Sequence, residues 1–345
     1  MIQALMTKPG EIIHREVDIP AVNADQIKVK IKRIGVCGSD IHVYHGKHPF
    51  TSYPVVQGHE VSAEVVAVGR NVTDFGLGDK VTIQPQVVCG ECYPCTHGMY
   101  NDCEVLKVMG FQTTGMASEY FVTEAAKALK LPDNISWDHG SMIEPLAVAV
   151  HAMRRYGDMK NQNVLVLGGG TIGNLTAQTA KAMGANKVLI SEISEYRLEA
   201  AKKAGIATVN PLKQDLNEAI RNVFGPNRAD VIFECVGVNA TMNQAIEYAR
   251  KGSHIVVVGV FGDLANMNAA LIQDHELTLV GTAMYRVEDF KKAIELAEAG
   301  LIEFDALITD HVPFKEYQRA YQIIEEQKDQ AMKVIIVMDE RGISI

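Results

Sequence analysis

The chain has 345 residues, 47% hydrophobic and 22% charged, an ordinary globular composition with length enough for two domains. A formal net charge of −9 and the lack of any basic stripe argue against nucleic-acid binding, and no apolar run is long enough to cross a bilayer. Met1–Gly10 has neither the charged nor the apolar segment of a signal peptide, so the expected location is cytoplasmic, where six cysteines serve more readily as metal ligands than as disulfides.

Residues 1 to about 150 read as rich in strands and loops. Ile27–Lys32 alternates apolar and charged residues, the mark of a half-buried strand. Val61–Val68 and Lys80–Ile83 read as further strands, separated by Gly-Asp turns. Three short motifs in this region carry ligand residues: Cys37 in Gly35-Val36-Cys37-Gly38-Ser39-Asp40-Ile41-His42, then Gly58-His59-Glu60, and later Glu144 in Ile143-Glu144-Pro145-Leu146. Cysteine, histidine and carboxylate together suit Zn²⁺ with a fourth position open to water or substrate. Singly each has a plainer reading: a buried cysteine, a satisfied loop histidine, a helix-capping glutamate. Linear spacing does not show that they converge.

Cys89-x2-Cys92-x2-Cys95-x7-Cys103 is more specific. Thiolates this close can converge on one Zn²⁺ as a closed Cys₄ site, with no room for substrate and hence a structural role. Disulfides and a nucleic-acid-binding zinc ribbon are disfavoured by the expected compartment and the acidic charge. The spacing alone also suits an iron–sulfur cluster.

A helical stretch, Leu146–Arg155, leads to Val164-Leu165-Val166-Leu167 and at once to Gly168-x-Gly170-x-x-Gly173. The apolar run reads as a buried strand, and a helix pattern over Ile172–Met183 begins inside the glycine motif. In that context Gly168 makes a tight turn, Gly170 lets the backbone approach a pyrophosphate, and Gly173 lets helix pack on strand. Thr171 and Ile172 stand at the helix start, where unpaired N–H groups and the dipole favour phosphate. A second strand, Lys187–Ser191, ends at Glu192, an acid placed to bond a ribose 2′-hydroxyl and repel a 2′-phosphate, which favours NAD over NADP. Arg197, in the helical run Glu195–Ala204, completes the cofactor-binding candidates. Strands at Asp230–Cys235, His254–Val258 and Leu277–Val280, with helices such as Ala240–Arg250 between them, predict a doubly wound parallel sheet. Cys235 reads as a buried strand residue. Two amphipathic helices follow, Val287–Ala299 and Phe314–Gln327, then a strand, Lys333–Val337, expected to return to the first domain.

These motifs, in this order and over nearly the whole length, resemble the zinc-dependent medium-chain dehydrogenase/reductase family. The resemblance implies an α/β protein with a GroES-like β-rich catalytic domain (1–150 and 287–345, zinc lobe 89–103) and a Rossmann doubly wound parallel-sheet NAD-binding domain (151–286). It implies NAD and two Zn²⁺ per chain, one catalytic and one structural. Cys37 and His59 would ligate the catalytic zinc, Glu60 directly or through water, and Glu144 in some states. Asp40 would hydrogen-bond His59 and fix its tautomer. Ser39 would bond the alcohol oxygen and pass its proton on, with His42 as an outer relay; local turn capping is the plain alternative for both. His45 and His48 read as pocket rim or surface. The chemistry implied is zinc-assisted deprotonation of an alcohol and hydride transfer to the nicotinamide, in a cleft between the domains.

Glu144-Pro145-Leu146-Ala147-Val148-Ala149-Val150-His151-Ala152 is similar to the polyol (sorbitol or L-iditol) branch, as is Arg286 shortly after the last strand of the nucleotide domain. In that branch such an arginine touches substrate hydroxyls; a helix-capping surface residue is the alternative. Ser52-Tyr53-Pro54 also fits sugar-acid and galactitol-phosphate dehydrogenases. The L-threonine 3-dehydrogenase group competes, but a histidine is expected there where this chain has Gln86. Animal sorbitol dehydrogenases lack the lobe cysteines, so the likeness is to a microbial polyol-type enzyme. A zinc-free reductase or non-catalytic member usually lacks the Cys or His ligands, and here Cys37, His59, Glu60 and Glu144 are all present. The partners expected are a small-molecule alcohol and further copies of the chain, as homotetramer or homodimer joined at sheet edges for which His254–Val258 and Leu277–Val280 are candidates; neither nucleic acid nor membrane is expected.

Overall fold

The structure is a computed structural model that describes residues 1–338. Residues 339–345 of the span expected in the catalytic domain lie outside the described residues. The chain divides into two compact units, Met1–Glu144 with the chain from Ile308 onward, and Pro145–Leu307. Both boundaries differ from the expected 150 and 286, and the helix Val287–Glu298 falls in the nucleotide-type unit rather than the first. The reason is a buried ionic contact. Asp289, fully buried, pairs with His151 Nδ1 at 2.8 Å and Arg154 Nε at 2.7 Å, both on the helix Ile143–Tyr156. An amphipathic pattern says that one helix face is buried, not against which neighbour.

The first unit is built around the strand Gln26–Gly35. Ile27, Val29 and Ile31 alternate with Lys28 and Lys30 and lie fully buried in the core of this unit. The strand pairs antiparallel with Glu60–Val68, with Tyr120–Glu124 and with Lys333–Val337. The last of these sets Ile335 opposite Gly35 and Ile336 opposite Ile34, so the end of the chain does come back to this sheet. That return brings Lys333 against the Val36 carbonyl and the Glu60 carboxylate.

In the second unit six described strands form one parallel sheet in the order Ala207–Val209, Lys187–Ser191, Asn163–Leu167, Val231–Glu234, His254–Val257, Thr278–Gly281. The order reverses direction beside Asn163–Leu167, the switch point at which doubly wound sheets bind ligands. All five residues of that strand are buried because both faces are covered: Val164 and Val166 join one core layer, Leu165 and Leu167 the other. His254–Val257 is paired on both sides, which corrects the expectation that it could offer a free edge; Thr278–Gly281 is the outer strand there.

Candidate active site and metal centres

Cys37 caps the short helix Gly38–Tyr44, and its N–H donates to Asp40 Oδ2 at 2.9 Å. The capping partner is therefore Asp40, not Ser39. Asp40 Oδ1 accepts from Gln57 Nε2 at 3.1 Å, and Gln57 in turn accepts from the Tyr321 hydroxyl at 2.8 Å. This chain of bonds fixes Asp40 beside His59, with Oδ1 3.6 Å from Nδ1, longer than a hydrogen bond. His59 is buried, and its Nδ1 has no hydrogen-bond partner among the described residues. Burial works against a charged ring, but Asp40 and then Cys37 outweigh it and raise the His59 pKa well above the usual value.

A Cys37 sulfur, a His59 ring nitrogen and a Glu60 carboxylate oxygen all lie within 4.8 Å of one another. Glu60 opens the strand Glu60–Val68 directly opposite Gly35 in the register. A Cβ at Gly35 would lie 2.2 Å from Glu60 Oε2, so only glycine leaves room for the carboxylate. Behind it, Lys333 Nζ donates to the two carboxylate oxygens at 2.6 and 2.8 Å and to the Val36 carbonyl at 3.1 Å. Burial opposes the Lys333 charge; Glu60 and Cys37 outweigh it and raise the pKa. Glu144 is buried in the first turn of Ile143–Tyr156 and lies outside the three-residue cluster, near enough to Lys333 to help hold its charge. An unpartnered buried imidazole nitrogen amid thiol and carboxylates is the donor set that zinc takes, so these residues fit the expected metal.

Ser39 is half-buried on the same short helix and His42 is exposed in its last turn. His45 pairs at the surface with Glu325 at 2.9 Å. His48 is half-buried and stacks flat on Phe111 with centroids 4.8 Å apart, and the Phe111 ring lies 4.9 Å from that of His59. Burial, and then the charge of His42, lowers the His48 pKa.

The lobe needs no distant partner. Cys89 and Cys103 sulfurs are 3.6 Å apart, Cys92 and Cys103 3.9 Å, and Cys89 and Cys95 4.0 Å. Tetrahedral ligation at about 2.3 Å per Zn–S bond separates sulfurs by about 3.8 Å, so the four match one zinc. None of the six cysteines is in a disulfide. Backbone N–H groups of Glu91 and Cys92 lower the Cys89 pKa to about 7, while burial among the other sulfurs raises Cys95 to about 12.

In the second unit the helix Thr171–Ala182 starts directly after Gly170. A Cβ at Gly173 would lie 1.9 Å from the Gly168 carbonyl oxygen, so this close approach admits only glycine. Glu192 is buried, and its carboxylate accepts from the N–H groups of Gly169 (2.7 Å), Ile193 (2.7 Å) and Ser194 (2.8 Å). It thus props up the glycine loop, a second task that the sequence did not suggest. Arg197 Nη1 is 3.9 Å from Glu192 Oε2. Cys235 packs beside the loop helix, its sulfur 3.9 Å from Thr176 Oγ1, and burial pushes its thiol pKa up. Arg286 is the N-cap of Val287–Glu298; its backbone N–H donates to Asp289 Oδ2 at 2.7 Å.

The motif spacing had concealed three participants: Lys333, Gln57 and Tyr321. A lysine inside Lys333-Val334-Ile335-Ile336-Val337 was the one available signal, since a charge opening an otherwise buried strand needs a partner.

Family comparison agrees with this geometry. The model for the alcohol dehydrogenase GroES-like domain matches residues 23–133, and that for zinc-binding dehydrogenase matches residues 171–299. The chain is 33% identical over 315 residues to L-galactonate-5-dehydrogenase of Escherichia coli K12, covering 91% of this chain and 92% of the relative. It is 30% identical over 342 residues to sorbitol dehydrogenase of Bacillus subtilis, covering 97% of each. Among solved structures it is similar, with a TM-score of 0.90 and 30% identity over 98% of this chain and 99% of the other, to an alcohol dehydrogenase from E. coli CFT073 complexed with NADH.

Proposed function

This chain belongs to the zinc-dependent medium-chain alcohol dehydrogenases, and from that premise we propose that it oxidises a secondary alcohol of a polyol or sugar acid with NAD⁺, yielding a ketose or keto acid, NADH and a proton. The observation that carries the reading is the meeting of ligand atoms of Cys37, His59 and Glu60 within 4.8 Å of one another.

Cys37 and His59 would hold the catalytic zinc; Glu60, paired with Lys333, would join them directly or through water, and Glu144 would do so in some states. A zinc ion held there would supply a Lewis acid that lowers the pKa of the substrate hydroxyl. Asp40 keeps His59 oriented. Ser39 takes up the hydroxyl proton and His42, exposed, delivers it to water. The N–H groups of Gly170, Thr171 and Ile172 face the pyrophosphate, Gly168 and Gly173 shape the turn, and Arg197 adds positive charge beside it. Glu192 accepts from the ribose hydroxyls and disfavours a 2′-phosphate. Arg286 contacts substrate hydroxyls. Cys89, Cys92, Cys95 and Cys103 would hold the structural zinc. The protein acts in the cytoplasm as a homotetramer or homodimer, joined at the Thr278–Gly281 edge. No described helix is long and apolar enough to cross a membrane.

The test is an initial-rate screen of zinc-replete protein with NAD⁺ and NADP⁺ against sorbitol, xylitol, L-iditol, galactitol, L-galactonate and L-threonine. NADH formation with a polyol or sugar acid is the expected result. Turnover of L-threonine alone, or a preference for NADP⁺, contradicts the substrate class or the role of Glu192 respectively.

A further inference from the structure

The glycine loop of the second unit is backed by a polar side chain that the motif does not explain. Asn174 lies in the helix Thr171–Ala182 and is fully buried. Its Nδ2 donates to the Gly169 carbonyl. Its Oδ1, equally buried, has no hydrogen-bond partner among the described residues. The Gly169 oxygen is an acceptor only, so the atom facing it must be the amide nitrogen. Gly169 is gripped from its other end as well, where its N–H donates to Glu192 Oε2 at 2.7 Å. A Cβ at Gly169 would lie 2.9 Å from Glu192 Cβ, so the residue sits tightly between its two holders.

We propose that Asn174 is a positioning residue for the dinucleotide: together with Glu192 it clamps Gly169 so that the Gly170 N–H stays turned toward a cofactor phosphate. This rests on the NAD reading above. The Gly169–Gly170 peptide is trans, and the C=O and N–H of a trans peptide point in opposite directions. An amide inside the helix packing that draws the Gly169 oxygen inward therefore turns the Gly170 N–H outward. Gly170 is half-buried, and its N–H has no acceptor among the described residues. The side chain nearest to it is Arg197, whose Nη1 would lie 4.0 Å from a Cβ at Gly170. An unmet N–H at a helix start, beside a guanidinium, is a receptor for an anion such as phosphate. The unmet Oδ1 shows that stability alone does not select asparagine here. A leucine of similar size would exchange one unmet acceptor, Oδ1, for another, the Gly169 oxygen; what it would lose is the direction of one N–H.

The test is calorimetric titration of the zinc-replete protein with ADP-ribose, which carries the pyrophosphate and requires no turnover, beside the melting temperature. In Asn174→Leu the Kd for ADP-ribose rises about tenfold, the size of one lost charge-assisted hydrogen bond, while the melting temperature changes little. The KM for NAD⁺ rises in step and kcat at saturating NAD⁺ is unchanged. Asn174→Ala, which adds no bulk, shows the same loss of affinity. Glu192→Gln attacks the other grip: Oε1 accepts from Ile193 and Ser194 and Oε2 from Gly169, so one side of an amide must set NH₂ against N–H. Its Kd also rises about tenfold, and the Asn174→Leu/Glu192→Gln double variant loses little more than either alone, because both side chains act on Gly169. Unchanged ADP-ribose affinity in Asn174→Leu and Asn174→Ala, with or without a lower melting temperature, overturns the assignment. So do single losses that multiply in the double variant. A wild type that binds no ADP-ribose overturns the NAD reading itself, and a wild type that binds it with both Asn174 variants unaffected overturns the role of Asn174 alone.

Discussion

Two clusters of ligand side chains in the same unit are built in opposite ways. The lobe takes Cys89, Cys92, Cys95 and Cys103 from one loop, and their sulfurs all lie within 4.8 Å of one another, three of the pairs at 3.6 to 4.0 Å. Cys37, His59 and Glu60 come from a helix cap and the start of a strand, and they are backed by Asp40, Gln57, Tyr321 and Lys333, contributed by four separate stretches of chain. The lobe offers four donors, enough to fill the coordination of one zinc ion. The assembled cluster offers fewer donors and surrounds them with a buried polar network, which is what an open position for substrate requires. One site therefore supports shape, the other chemistry, and substitutions should separate them.

The largest effect falls on the assembled cluster. Cys37→Ser should lower NAD⁺-dependent alcohol oxidation by about 10³-fold or more, since metal activation is worth several kcal/mol, with little change in melting temperature. Retained full activity would contradict the site. Next comes the support behind it. Lys333→Met leaves Glu60 buried and uncompensated, and breaking such a pair costs about 3 kcal/mol, readable as a lower urea midpoint. An unchanged midpoint would mean that Glu60 is not held as an anion. Cys95→Ser should do the reverse of Cys37→Ser: surviving protein keeps activity within about threefold while residues 89–103 become protease-sensitive. Loss of turnover equal to that of Cys37→Ser would erase the distinction between the sites.

The smallest effect lies outside both clusters. Asp138 bonds His311 Nε2 at 2.9 Å and Arg33 Nε at 2.5 Å, and these partners hold its carboxyl at about 2. A depressed folded pKa stabilises the fold above the unfolded value and is lost as pH falls from about 4 to about 2. Asp138→Asn should remove about 1 kcal/mol at pH 7, given the partial exposure of the group, and should flatten the acid limb of the stability profile. An unaltered acid limb would show that the contact contributes nothing.

The same contrast explains what could be read from the chain. The lobe and the glycine loop are local: ligand spacing in the one, and strand, glycines and helix in register in the other, are written within a few consecutive residues. The parallel strands Lys187–Ser191, Val231–Glu234 and His254–Val257 were legible as apolar runs between helices, to within a residue or two at their ends. The hairpin Ile2–Lys8 with Glu11–Glu16 and the short strand Ala207–Val209 were not, because Ile13 and neighbouring residues are largely exposed and a three-residue strand has no measurable period. Lys333 against Glu60 and Asp289 against His151 depend on tertiary pairing between distant stretches, which no local pattern encodes. The contact of His48 with Phe111, and of Phe111 with His59, depends on tertiary packing in the same way.

The central claim, two zinc sites of different kind in one chain, is tested most directly by the zinc content of the purified wild type beside Cys37→Ser and Cys95→Ser. Two zinc per wild-type chain and one in each variant are expected, with the zinc of Cys95→Ser alone supporting NADH formation from a polyol. One zinc or none in the wild type, or two in Cys37→Ser, would contradict it.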